Sequence, residues 1–343
     1  MKKKIFLIFL TILIPVFLFF AYFFVGRVSP AKEITFGVNF SQWHAENLGL
    51  DWKKAYSALL EDLRVKNLKV AFQWDLVEPE KDVFYFEDLD WQVKEAENHG
   101  AKIIPIIGIK TSRWPECHVP NWAVNLNKKE QQKEILEIIE EIVLRYRDSE
   151  AIKYWQVENE PLFKFGCTWA DKNFLKEEIE LVKRLDSKNR SIIISDSGEW
   201  SLWISAAKLG DMVGTTLYKK VWFSLSLEKF PFIHKKIGFY LDYPFPAAFY
   251  GRKAQLIEKI FGKKVICVEL QAEPWGKVLL YDSPLLEQEK TMNLEQFKYN
   301  INFAKKTGFD EIYLWGGEWW YWIKEKQGKP EIWQEAKNLF QEK

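Results

Sequence analysis

The stretch YWQVENEP, Tyr154–Pro161, decides the reading of this chain. An apolar run rises through Tyr154, Trp155 and Val157 and stops on Glu158, Asn159 and Glu160, with Pro161 closing it. A buried strand that ends on carboxylates is costly, because an ionised group loses several kcal/mol (roughly) of hydration unless something compensates it. Such a cost is tolerated where the carboxylate does chemistry. KVICVE, Lys264–Glu269, has the same shape, apolar up to a terminal glutamate. The pair Glu160 and Glu269 is what the rest of the chain is expected to bring together.

Working outward, strands and helices alternate. Strands are expected at Ile34–Phe40, Leu68–Gln73, Lys102–Ile109, Ile152–Glu158, Ser191–Ser195, Met212–Leu217, Lys264–Glu269 and Glu311–Trp315. Helical patterns separate them, for example Lys128–Tyr146, where Ile135, Ile138, Ile139, Ile142 and Tyr146 share one stripe. Short apolar strands, each followed by a helix, predict an α/β chain folded as a (β/α)8 TIM barrel. An open doubly wound sheet is the weaker alternative, since GVNFSQWH follows the first strand where a Gly-rich phosphate loop would stand. A barrel keeps its chemistry at the C-terminal ends of its strands. Those ends read Asn39–His44, Gln73–Trp74, Lys110–Trp114, Asn159–Glu160, Asp196–Trp200, Tyr218, Glu269 and Trp315–Trp320, an aromatic and carboxylate-rich rim.

The N-terminus carries Lys2, Lys3 and Lys4, then no charge from Ile5 to Gly26. As a helix that run is long enough to span ~30 Å of hydrocarbon. It predicts an uncleaved signal-anchor, a transmembrane helix within residues 1–32, ahead of a barrel over residues 33–343. The membrane is thus an expected partner, and the barrel is expected outside the cytoplasm, or secreted if the segment is cleaved near Ser29-Pro30-Ala31. A net charge of +1 gives no field to attract nucleic acid. The four histidines have no metal-ligand spacing, so neither metal nor cofactor is expected. Export permits a disulfide between Cys117 and Cys167, which fall in successive rim loops, while Cys267 sits inside a strand.

Two opposed carboxylates suit glycosidic cleavage: one protonates the leaving oxygen, the other attacks the anomeric carbon or activates water. The 17 tryptophans among 343 residues fit the same reading, because flat aromatic faces pack against sugar rings. Trp114, Trp122, Trp275, Trp319 and Trp320 are rim candidates for sugar contact. His44 and His118 are candidates to bond a hydroxyl. Asp196 and Glu199 read as solvated surface of the fifth loop.

Asn159-Glu160-Pro161, Glu269 and the segment LKVAFQWDLVEPEKDVFYFEDLD, Leu68–Asp90, resemble clan A glycoside hydrolases, in particular the cellulase-like family five or a close relative. The resemblance implies a retaining glycoside hydrolase acting on a poly- or oligosaccharide by double displacement. Glu160 would be the general acid and then base, Glu269 the nucleophile, and their carboxyls would stand ~5–5.5 Å apart. Asn159 would bond the sugar 2-hydroxyl, Tyr218 would hold Glu269 ionised, and Trp315 would floor the sugar subsite. Trp74 belongs to the second-strand pattern, and Lys69 stands where many clan members carry an arginine that steadies the nucleophile. Trp275 completes the substrate-binding set. A transglycosylase, or a membrane-anchored barrel that binds glycan without cleaving it, are the alternatives.

Overall fold

The computed structural model describes residues 2–163, 171–226 and 236–341. Among the described residues ten strands are present: β1 (Thr35–Phe40), β2 (Asn67–Ala71), β3 (Lys102–Ile107), β4 (Trp155–Val157), β5 (Ile192–Asp196), β6 (Met212–Leu217), β7 (Lys220–Ser226), β8 (Lys236–Asp242), β9 (Lys264–Gln271) and β10 (Glu311–Trp315). Eight of them close a barrel in the order β1-β2-β3-β4-β5-β6-β9-β10, all neighbours parallel. The expected (β/α)8 barrel is therefore the observed one. The departure is β7 and β8, an antiparallel pair inserted before the helix Ala247–Phe261. The sequence reads there as an aromatic loop, because Trp222, Phe223, Phe239 and Tyr240 pair across a two-stranded ribbon instead of entering the core.

The helices pack outside as their stripes dictate. Ile135, Ile138, Ile139, Ile142 and Tyr146 are all buried, on a helix begun by an Asn127–Glu130 capping box. Within the strand ring lies a smaller cluster of Ile104, Ile193, Met212, Ile266, Val268 and Tyr313. Gly37 on β1 makes room for Tyr313, since a Cβ there would stand 2.5 Å from that ring. Lys69 is fully buried on β2 beside this apolar packing, which only an ion pair at its tip makes tolerable.

Residues Lys2–Phe24 form one helix. Its last turn sits against the helix Ala247–Phe261, with Phe23 buried and Phe24 5.5 Å from the Phe249 ring. Among the described residues no helix is long and apolar enough to cross a membrane, so the expected transmembrane segment is not supported here. The side chains of residues 2–10, 12 and 16 lie outside those described.

Candidate active site

β4 is only three residues long, and its chain turns sharply once it leaves the ladder. Glu158 and Glu160 both adopt left-handed backbone, φ 60° and 45°. Bulky residues avoid that region, and its use is concentrated at functional sites. The turn is fastened on three sides. The Asn159 N–H donates to the Lys110 carbonyl (2.6 Å), the Glu160 N–H to Ser195 Oγ (2.8 Å), and Lys110 Nζ to the Glu160 carbonyl (3.1 Å). Glu158 points the other way, and its carboxyl accepts the N–H groups of Ile109 and Lys110. Gly108, at φ 113°, permits that approach, since a Cβ there would lie 2.4 Å from Glu158 Oε1. Glu158 is thus a support for the third-strand loop, and Glu160 is the carboxylate left to face the mouth.

Glu269, on β9, is buried and held by two partners. Lys69 Nζ donates to Oε1 at 2.8 Å and the Tyr218 hydroxyl to Oε2 at 3.1 Å. Lys69 therefore takes the supporting place that the sequence suggested, as a point charge rather than a fork. Among the described residues, the Glu160 carboxyl accepts one long hydrogen bond, from Thr216 Oγ1 at 3.5 Å. Burial first, and then the charge of Glu269, push the Glu160 carboxyl well above the ordinary range. One carboxyl is thus kept protonated beside a second that is ion-paired, the division of roles an acid and a nucleophile need.

Tyr218 is itself positioned, its N–H donating to Glu199 Oε1 (3.0 Å), which also accepts from Tyr250 (2.9 Å). Asp196 accepts from Ser201 (2.5 Å). Both acids are buried, which corrects the expectation of solvated surface. They brace the fifth loop beneath Tyr218.

Trp74 is corrected as a sugar contact. The chain turns into a short helix, Trp74–Val77, and carries the indole into the interior. There it is fully buried, donates to Glu78 Oε2 (2.7 Å) and meets the Trp122 ring at 5.6 Å. Trp319 and Trp320 are core residues as well, bonded to Gln288 and to the Ala272 carbonyl. His118 is fully buried, within bonding distance of Gln73 and the Arg113 carbonyl. Trp315, Trp275, Trp114 and His44 do reach the mouth, lining a cavity of ≈ 440 Å³. Trp275 also packs edge-on against Tyr218 at 5.2 Å.

Three further residues belong to the site that the sequence reading missed. Glu116 lines the same cavity, bonds Asn159, and is pushed up to about 7 by desolvation, against the pull of Lys110. It sits at φ 74° in a tight turn closed by Thr111 N–H to the Glu116 carbonyl (2.9 Å) and by the Lys110–Cys117 bridge. Arg113 is buried between Glu273 and Glu318 and stacks 4.0 Å over Trp315. Glu273 also accepts from Trp315 Nε1 (2.8 Å). Burial alone would raise its carboxyl, but the Arg113 charge and then His44 hold it down at about 2. Nothing in the sequence separates a loop arginine or glutamate that turns inward from one that faces water.

Cys117 is disulfide-bonded and Cys267 is a free buried thiol. Cys167, the partner expected for Cys117, lies outside the described residues. Among the described residues, the carboxylates close enough to share a cation are Asp82, Glu134 and Glu137, away from this mouth, where Lys81 already meets Glu134.

Comparison with known proteins supports a glycosidase and the barrel fold. Residues 27–177 match the model of glycosyl hydrolase family 10. The chain is similar to glycoside hydrolases. A beta-galactosidase of Halorubrum lacusprofundi is 25% identical over 34% of this chain and 19% of its own length. Among solved structures, a GH42 beta-galactosidase from G. stearothermophilus superposes with a TM-score of 0.59 at 13% identity, covering 93% of this chain and 57% of that one. A GH5_18 protein of Bifidobacterium longum gives 0.56 at 14%, covering 83% and 70%. An endo-beta-1,4-xylanase of family 10 from Gloeophyllum trabeum gives 0.53 at 15%, covering 83% and 84%. At these identities the structural likeness establishes the barrel. The chain spans about a fifth of the curated relative and about half of the first solved structures. The matches fall across clan A, and the family-five likeness expected from the sequence is not singled out.

Proposed function

We propose that this protein is a retaining glycosidase that cleaves O-glycosidic bonds of an oligo- or polysaccharide. The observation that carries the reading is the unequal pair: Glu160 with its proton retained by burial and by Glu269, and Glu269 held by Lys69 and Tyr218. In the first step Glu269 attacks the anomeric carbon while Glu160 gives its proton to the leaving oxygen. In the second, Glu160 takes a proton from water, which releases the sugar from Glu269. Asn159 stands between Glu160 and Glu116 with its side chain bonded to both Gln156 and Glu116, placed to meet a hydroxyl of the bound sugar. The family 10 match and the clan A neighbours support the same reaction class.

The test is a screen of chromogenic glycosides and polysaccharides, with Glu269→Ala as control. Turnover by the unaltered chain and none by the variant is expected. On a substrate so found, Glu269→Gly should be rescued by azide with an inverted product. Equal activity of variant and parent would remove the reading.

We further propose that the uncharged run Ile5–Gly26 attaches the chain to a membrane with the barrel on the outside. Exposed Phe17, Leu18, Phe19 and Phe20 support this. Fractionation should find the chain in membranes and resistant to salt extraction. A soluble product beginning near Lys32 would overturn it.

A further inference from the structure

The cavity floored by Trp315 has a polar wall with unmet bonding capacity. His44 Nε2 and Glu273 Oε2 are both buried, and neither has a hydrogen-bond partner among the described residues. They stand 3.7 Å apart, within ion-pair reach but longer than a direct hydrogen bond. One hydroxyl oxygen placed beside both satisfies them together, because a hydroxyl accepts from the ring N–H and donates to the carboxylate. The pair is rigid. Glu273 Oε1 is fixed by Arg113 and by Trp315 Nε1, and Arg113 is fixed in turn by Glu318 at 2.8 Å. Oε2, facing His44, keeps room for a ligand hydroxyl between them.

The buried cations near this wall are already engaged. Arg113 serves Glu273 and Glu318 and Lys69 serves Glu269, while the half-exposed Lys277 stands at the outer wall, 4.0 Å from a Glu287 that Lys290 meets at 2.6 Å. Glu116 adds a further carboxylate from the third-strand loop. An acidic sugar entering here would face the charged Glu273 and the partly charged Glu116, with Arg113 already shared between two carboxylates, and a sugar carboxylate has no proton to give Glu273 Oε2. Like charges in a desolvated site repel strongly.

Which part of the substrate lies here follows from the acid. Glu160 protonates the leaving oxygen, so the aglycone departs on its side of the mouth. The sugar attacked by Glu269 rests over Trp315, and whatever precedes it extends into the cavity.

We propose that this cavity is the glycone subsite and that His44 and Glu273 form a hydroxyl-reading pair that selects a neutral sugar over an acidic one. The proposal rests on the glycosidase reading for its assignment to the glycone side. The experiment is calorimetric titration of the full chain carrying Glu160→Gln. The probes are neutral β-1,4-linked tetrasaccharides of glucose, mannose, xylose and galactose, and the acidic tetrasaccharide of galacturonic acid. At least one neutral probe should bind ten-fold or more tightly than the acidic one. His44→Ala should weaken that neutral binding at least ten-fold with an unchanged circular dichroism spectrum, and Glu116→Gln should narrow the neutral-to-acidic ratio. Acidic binding equal to neutral, no neutral binding at all, or neutral binding untouched in both His44→Ala and His44→Phe would each overturn the proposal. Neutral-selective binding by a parent chain that cleaves nothing would defeat the glycosidase reading and leave the hydroxyl-reading pair. Cleavage of neutral and acidic glycosides alike would do the reverse.

Discussion

Lys69→Met is the most informative single change. Lys69 has no exposed side-chain surface, Glu269 has 4%, and their charged atoms are 2.8 Å apart. At an effective dielectric constant of ~20, charges at that separation attract by about 6 kcal/mol, most of it offset by the desolvation of both groups. Deleting the lysine keeps Glu269's desolvation cost and removes what opposed it. Among the described residues, the Tyr218 hydroxyl would then be the remaining donor to that carboxylate. Breaking such a pair from one side costs about 3–5 kcal/mol, a large part of the ~5–15 kcal/mol that holds a domain folded. Lys69→Met with Glu269→Gln leaves no buried charge and should recover most of the loss, giving a coupling of about 2–4 kcal/mol in a double-mutant cycle. Urea unfolding of the parent, both single variants and the double variant at neutral pH measures it. The reasoning is refuted if Lys69→Met costs under ~1 kcal/mol, or if the double variant is no more stable than Lys69→Met alone.

The other predictions address the acid and a buried carboxyl pair. Glu160→Gln should lower turnover of glycosides with poor leaving groups by about 10²–10⁴-fold, the usual worth of a general acid, and far less for dinitrophenyl glycosides that depart unaided. Equal losses on both would deny Glu160 the acid role. Because its carboxyl is held well above the ordinary range and must be protonated to act, activity of the parent should fall as pH rises through that raised value, and the descending limb should vanish in Glu160→Gln. Glu158 and Glu178 are raised together, burial being the first cause for each, with mutual repulsion adding at Glu178. The folded state therefore holds a proton that the unfolded chain releases, so this pair's contribution to stability declines as pH rises above the unfolded value near ~4.3. Glu178→Gln should flatten that decline, with a gain over the parent that is larger at pH 8 than at pH 5 in urea unfolding. A gain that is larger at pH 5 would contradict it.

The barrel was legible because burial on both faces leaves parallel strands as short apolar runs, and Glu160 and Glu269 were legible because each interrupts one. Asn159, Tyr218 and Trp315 were named by the resemblance at strand ends, and Lys69 by the same resemblance inside the second strand. Side-chain direction was not legible. Trp74 and Trp315 both follow apolar runs, yet a four-residue turn sends the first inward, while ring stacking by Arg113 holds the second at the mouth. Arg113, Glu116 and Glu273 come from loops whose composition is ordinary; their meeting depends on contacts between residues 160 positions apart, such as Arg113 and Glu273. The β7–β8 ribbon escapes a strand reading too, since alternation there is masked by aromatics on both faces.

The turn at Glu158–Glu160 sets two selective pressures against each other. Left-handed backbone at a residue other than glycine costs of order 1–3 kcal/mol, and here two such residues nearly adjoin. A glycine at position 160 would relax the second and remove the acid. Variants chosen purely for heat tolerance should therefore collect at this turn while losing turnover, and variants chosen for turnover should keep its strain. An engineer seeking a sturdier protein has freer ground on the helical shell, where no carboxylate depends on an uncomfortable bend.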